Sequence, residues 1–171
     1  MATHSLVRVL LLSKDLGLVE VIARTLGSDF ETRNSNDMGP APTDDWREWC
    51  EVVLLDLRAS GTGGDEAMGI RMMDQIRGSV TKPPMIVFCD EGDSSSMIRA
   101  MERGAYETVA NPPNMAELRL ILQRAAKMHR TEEELESLRV MAQDNARLDD
   151  LLGTSAAMQE LFALSQKIAR F

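Results

Sequence analysis

Glu51-Val52-Val53-Leu54-Leu55-Asp56 is the stretch on which the fold turns. It sets four aliphatic residues in a row, with no polar position to face water and a carboxylate at the end. A run this short and apolar reads as a strand buried on both faces, the habit of strands inside a parallel sheet. Two more runs read alike: Val7-Arg8-Val9-Leu10-Leu11-Leu12, closing on Ser13-Lys14-Asp15, and Met85-Ile86-Val87-Phe88, entered through Pro83-Pro84. Thr108-Val109 makes a last short strand before Asn111-Pro112-Pro113, and Asp29 to Asn36 is a polar strand candidate.

Helical patterns fill the intervals. Val19, Ile22, Ala23 and Leu26 recur at helical spacing and Gly27 stops them. Beyond the breaks at Pro40 and Pro42, Thr43 caps a short predicted helix carrying Trp46 and Trp49. Ile70, Met73 and Ile76 run to a stop at Gly78, and Ile98 and Met101 to a stop at Gly104. Strands alternating with helices of this length predict right-handed βαβ units. The expected fold is therefore α/β, a doubly wound five-stranded parallel sheet followed by a long C-terminal helix.

Composition narrows the function classes. The 171 residues carry a net charge of -8, are 44% hydrophobic but only 4% aromatic, and include 12 Met. A core of aliphatic side chains suits that balance. An acidic surface argues against direct contact with nucleic acid or anionic lipid, since both demand positive charge. No apolar stretch approaches the roughly 18 residues that cross a bilayer, and MATHSLVRVLLLSKD lacks a cleavage-like site. The expectation is a cytoplasmic protein without a membrane partner. Cys50 and Cys89 are isolated thiols with neither disulfide nor zinc spacing.

From Pro113 to Leu152 the pattern changes, with no Gly or Pro before Gly153. Leu138, Met141, Asn145, Leu148 and Leu152 follow the 3-4-3-4 spacing of a coiled-coil seam, with Asn145 at a polar core position. Upstream, Leu118, Ile121, Ala125, Met128 and Leu135 hold a similar stripe, but Glu132 interrupts it and the phase slips before Leu138. The expectation is a parallel homodimer seam; a single amphipathic helix lying on its own domain is the simpler alternative.

Residues Leu6 to Arg130 resemble the receiver domains of two-component response regulators, through VRVLLLSKD, EVVLLDLR, GIRMMDQIR, PPMIVFCDEGD and AMERGAYETVANPP. The resemblance places Asp56 on the family's phosphoacceptor, which takes its phosphoryl group from a histidine of a sensor kinase. The rest of the family's set departs. Its two acids after the first strand, which hold magnesium, are Ser13 and Lys14 here, with Asp15 a third-position acid. The hydroxyl residue after the fourth strand is Cys89, the lysine before the proline that follows the fifth strand is Asn111, and the aromatic switch position is Thr108. Lys14 opposes a dication: one unit-charge pair about 4 Å apart at an effective dielectric of about 20 is worth roughly 4 kcal/mol. It could instead pair with Asp56. These departures imply a degenerate receiver acting without phosphorylation, with no cofactor or metal expected; were a metal held, Asp15 and Asp56 would hold it.

Two alternatives stay open: a conventional magnesium-dependent phosphoreceiver using Asp56, Asp15, Ser13 and water, and a ligand or redox sensor with Cys89 in the pocket. In the second, the long loop Ala59 to Met68 would form a lid. Its glycines lack a following Gly-Lys-Ser/Thr, which rejects a nucleotide site. No acid/base pair or cofactor fingerprint marks an enzyme.

Finally, Leu151-Leu152-Gly153-Thr154-Ser155-Ala156-Ala157-Met158-Gln159-Glu160-Leu161 is similar to the opening of the AAA+ ATPase domain in NtrC-type, sigma-54-dependent activators. The resemblance implies a receiver-like domain over 1–128, a linker or coiled-coil helix over 129–150, and the start of an AAA+ domain over 151–171. No Walker motif is present, so ATP hydrolysis is not assigned to these residues.

Overall fold

The computed structural model describes residues 6–34, 49–57, 66–78 and 81–154. Its elements are β1 (Val7–Leu12), α1 (Leu16–Leu26), β2 (Phe30–Asn34), β3 (Val52–Asp56), α2 (Glu66–Arg77), β4 (Met85–Asp90), α3 (Ser94–Glu102), β5 (Glu107–Asn111) and α4 (Met115–Thr154). All pairings are parallel, in the order β2-β1-β3-β4-β5. The expected doubly wound five-stranded sheet is what forms.

Alternation along each strand divides the core in two. Val9, Leu11, Val52, Leu54, Ile86, Phe88 and Val109 face Ile22 and Leu26 of α1 and Leu118, Leu122 and Ala125 of α4. Leu10, Leu12, Val53, Leu55, Val87 and Cys89 face Met73 and Ile76 of α2 and Ala100 of α3. With apolar layers on both sides, β3 is buried throughout and needs no alternation in its sequence. β2, at the edge, shows the opposite pattern, with Phe30 buried and polar residues after it.

Local signals start and stop the helices. Asp15 caps α1 by accepting the Leu18 N–H at 3.0 Å. Asp93 caps α3 by accepting the Ser96 N–H and the Ser95 hydroxyl, and these bonds hold its carboxyl down at about 2. Gly104 follows α3 at φ +88°, the left-handed region where a side chain would be strained.

Three details differ from the sequence pattern. Ala23 is exposed, and the inward stripe of α1 is Leu18, Val19, Ile22 and Leu26. On α3, Ile98 and Met101 face outward, Ile98 being 58% exposed, while Ser96 and Ala100 are buried. Small residues at i and i+4 let the helix axis approach the sheet, and the larger apolar residues are left outside. The helix predicted around Trp46 lies outside the described residues; Trp49 packs partly against Leu10, Val53 and their layer, with the Arg33 guanidinium 4.1 Å from its ring centroid.

The chain resolves into two compact units, Met1–Arg130 and Thr131–Phe171. In the first, α4 supplies Leu118, Ile121, Leu122, Ala125, Ala126 and His129 to the buried interior. Of the upstream stripe, Leu118, Ile121 and Ala125 are thus core, while Met128 is half-buried and Leu135 exposed. In the second unit every described side chain from Thr131 to Gln143 is exposed, Leu135, Leu138 and Met141 among them. The side chains of Asn145 and Leu148 lie outside the described residues.

Leu118→Ala should therefore cost about 2–5 kcal/mol by cavity formation, read from urea unfolding. Leu120→Ala, at a position 68% exposed, should stay within about 0.5 kcal/mol of the parent.

Candidate functional site

In an open parallel sheet, chemistry collects beyond the carboxyl ends of the strands where the winding reverses, here between β1 and β3. The β1–β3 register pairs Leu12 with Leu55, so the next residues, Ser13 and Asp56, stand side by side. The Ser13 hydroxyl donates to Asp56 Oδ2 at 3.0 Å, and both residues are buried, Asp56 being 1% exposed. Ser13 Oγ in turn accepts the Asp15 N–H at 3.1 Å. A short relay thus runs from the first turn of α1 through Asp15 and Ser13 to the Asp56 carboxylate.

Lys14 is exposed. The ion pair with Asp56 that the sequence allowed is not formed among the described residues, because alternation turns Lys14 away and the Ser13 hydroxyl takes the place beside the carboxylate. Asp15, the other candidate acid, is exposed and engaged in capping α1.

The remaining expected residues sit at the ends of β4 and β5. Cys89 is buried and belongs to the aliphatic layer with Leu12, Val53 and Leu55. Asn111 is half-buried opposite Asp90 in the register, and its bond to Pro112 is cis. Thr108 is half-buried opposite Val87, on the side of the sheet away from Val109. Tyr106, the one tyrosine of the chain, packs against the layer that contains Val109 instead. There the Arg124 guanidinium, 5.9 Å from the ring centroid, also meets Glu107 at 3.3 Å. The loop Ala59 to Met68 falls largely outside the described residues.

A magnesium ion fits this donor set poorly. Magnesium asks for rigid octahedral oxygen ligation with one or two carboxylates turned toward it. Here one Asp56 oxygen accepts a hydrogen bond from the Ser13 hydroxyl, and the Asp15 carboxylate accepts one from a helix amide. Among the described residues no three His, Cys, Asp or Glu side chains gather as metal ligands.

Sequence reading passed over one charged pair at the opposite end of β3, Glu51 with Arg130. The available signal was an acid at the head of an aliphatic strand; its partner lies 79 residues away.

No family model matches the chain. It is 28% identical over 119 residues to regulatory protein AtoC of Escherichia coli K12, covering 70% of this chain and 25% of that one. It is 28% identical over 156 residues to the C4-dicarboxylate transport transcriptional regulatory protein DctD of Pseudomonas aeruginosa, covering 90% of this chain and 33% of that one. The chain thus spans a quarter to a third of the length of these relatives. Among solved structures, NtrX from Brucella abortus in complex with ATP superimposes at TM-score 0.67 with 23% identity, over 96% of this chain and 35% of that one. The isolated receiver domain of the same protein gives 0.52 with 23% identity, over 70% and 98%. The fold is that of a response-regulator receiver domain, and the sequence relatives are transcriptional regulators of the NtrC kind.

Ser13→Ala removes a donor from a buried carboxylate and should lower stability by about 1–3 kcal/mol, measured by urea unfolding at neutral pH. Burial pushes the Cys50 thiol up to about 12, and Cys89 is also enclosed. At pH 8 the Cys50 thiol is neutral, and both thiols are buried, so an aromatic disulfide reagent should titrate neither until denaturant is added.

Proposed function

We propose that this chain, a homologue of the receiver region of sigma-54-dependent transcriptional regulators, is a regulatory and dimerisation module that works without phosphorylation of Asp56. The observation that carries this reading is the buried Ser13–Asp56 hydrogen bond. A carboxylate that attacks phosphorus needs its lone pairs free and the developing charge on the phosphoryl oxygens neutralised by metal and cation. Here a buried hydroxyl bonds one Asp56 oxygen, the Asp15 carboxylate caps a helix, Lys14 is exposed and Asn111 offers a neutral amide. Cys89 is enclosed among aliphatic side chains, which disfavours the redox alternative.

Output in this reading runs through the helix. The receiver-like domain spans 1–128, the linker helix 129–150, and 151–171 open a downstream AAA+ domain to which any ATPase activity would belong. The partner is a second copy of the chain, paired along Leu138, Met141, Asn145 and Leu148; Leu138 and Met141 are exposed and available for it. The module needs no cofactor, is not itself an enzyme, and acts in the cytoplasm. No helix among the described residues is long and apolar enough to cross a membrane. A sensor histidine kinase enters only if Asp56 is phosphorylated.

The test treats the protein with acetyl phosphate or beryllofluoride and magnesium, then reads intact mass and sedimentation. The expected result is a dimer with and without the donor, and an unmodified Asp56. Stoichiometric modification that is abolished by Asp56→Asn and shifts dimerisation would overturn the proposal.

A further inference from the structure

Glu51 precedes β3 and is 5% exposed, at the end of the strand opposite Asp56. A carboxylate so enclosed must be answered by donors, or it destabilises the fold. Arg130 answers it as a fork: Nε meets Oε1 at 2.5 Å and Nη2 meets Oε2 at 3.0 Å. The Arg8 N–H donates to Oε2 at 3.0 Å, with the Arg8 guanidinium 3.8 Å from Oε1. Arg130 Nη2 also reaches the Leu6 carbonyl at 3.2 Å. Burial alone would push the Glu51 carboxyl up; the Arg130 and Arg8 hydrogen bonds and charges more than offset this and hold it below the usual carboxylate range.

The position of Arg130 gives the pair its meaning. It is the last residue of the first compact unit. His129 is still buried, while every described side chain from Thr131 to Gln143 is exposed. A fork, unlike a single hydrogen bond, fixes both the position of the guanidinium and the plane in which it lies. It therefore sets the rotation of α4 about its own axis at the last docked turn.

We propose that the Glu51–Arg130 fork is a latch that holds the final docked turn of α4 against the head of β3. Closed, it ends the docked part of α4 at Arg130; open, it frees the preceding turns and lengthens the exposed helix. The latch does not rest on the phosphorylation-independent reading, since neither member touches Asp56.

Amide hydrogen exchange on the full chain tests it, with Glu51→Gln and Arg130→Met, and Arg130→Lys as a variant that keeps the charge but not the fork. The expected result is exchange about tenfold faster or more over residues 123–130, with β1, β3 and β4 unchanged, as for local opening. Arg130→Lys should fall between Arg130→Met and the parent. Parent-like exchange of residues 123–130 in the Met variant would overturn the latch, and so would an equal rise across sheet and helix. Full recovery in Arg130→Lys would overturn the requirement for a fork. If Arg130→Met does not fold, Glu51→Gln and Arg130→Lys decide between the same outcomes.

Discussion

The complete burial of β3 is the constraint from which the rest of the molecule follows. A strand enclosed on both faces can carry aliphatic residues without cost, but it cannot carry charge at its ends without partners. β3 has an acid at each limit. Asp56 is met by the Ser13 hydroxyl from the end of β1, and Glu51 by the Arg130 fork and the Arg8 amide. Satisfying these two groups ties together the β1–α1 turn, the head of β1 and the last docked turn of α4. Five residues separate the functional end of the sheet from the linker end, roughly 17 Å of extended chain.

Under the function proposed above, a receiver fold would persist here with its phosphotransfer chemistry reduced. The aliphatic layers on both faces of β3 hold Asp56 at the carboxyl end of the strand. In the proposed reading the groups that would make it a nucleophile are separable from that framework: Ser13 would stand for an acid, Cys89 for a hydroxyl residue and Asn111 for a lysine. Each replacement is compatible with packing. Ser13 even supplies the buried carboxylate with a donor that a second acid at the same place could offer only when protonated. Stability of the framework and competence for phosphoryl transfer are thus different demands on the same residues.

The long helix divides its labour at Arg130. Its first turns present Leu118, Ile121, Leu122, Ala125 and Ala126 to the sheet and belong to the core. Beyond Arg130 the exposed Leu138 and Met141 belong to another stripe. The slip in apolar phase near Glu132, visible as an irregularity in the sequence, lies close to this change from buried to exposed side chains. One stripe is already occupied by the sheet, so a second stripe in the same phase would have no reason to exist.

The strands and the stop signals were legible because they depend on local chemistry. Short aliphatic runs have no stable placement except between two apolar layers, and Gly27, Gly78 and Gly104 end helices by backbone freedom or lack of a side chain. Position Asp56 was legible for the same reason, as the polar end of a buried run. What the tertiary structure decided was every question of facing and partnership. Ile98 and Met101 lie outside because Ser96 and Ala100 allow the closer approach of α3. Lys14 turns away and Ser13 turns in because the β1–β3 register places Ser13 beside Asp56. The Glu51–Arg130 fork joins residues 79 apart; no local pattern encodes it, since only the folded sheet brings the head of β3 to the last docked turn of α4.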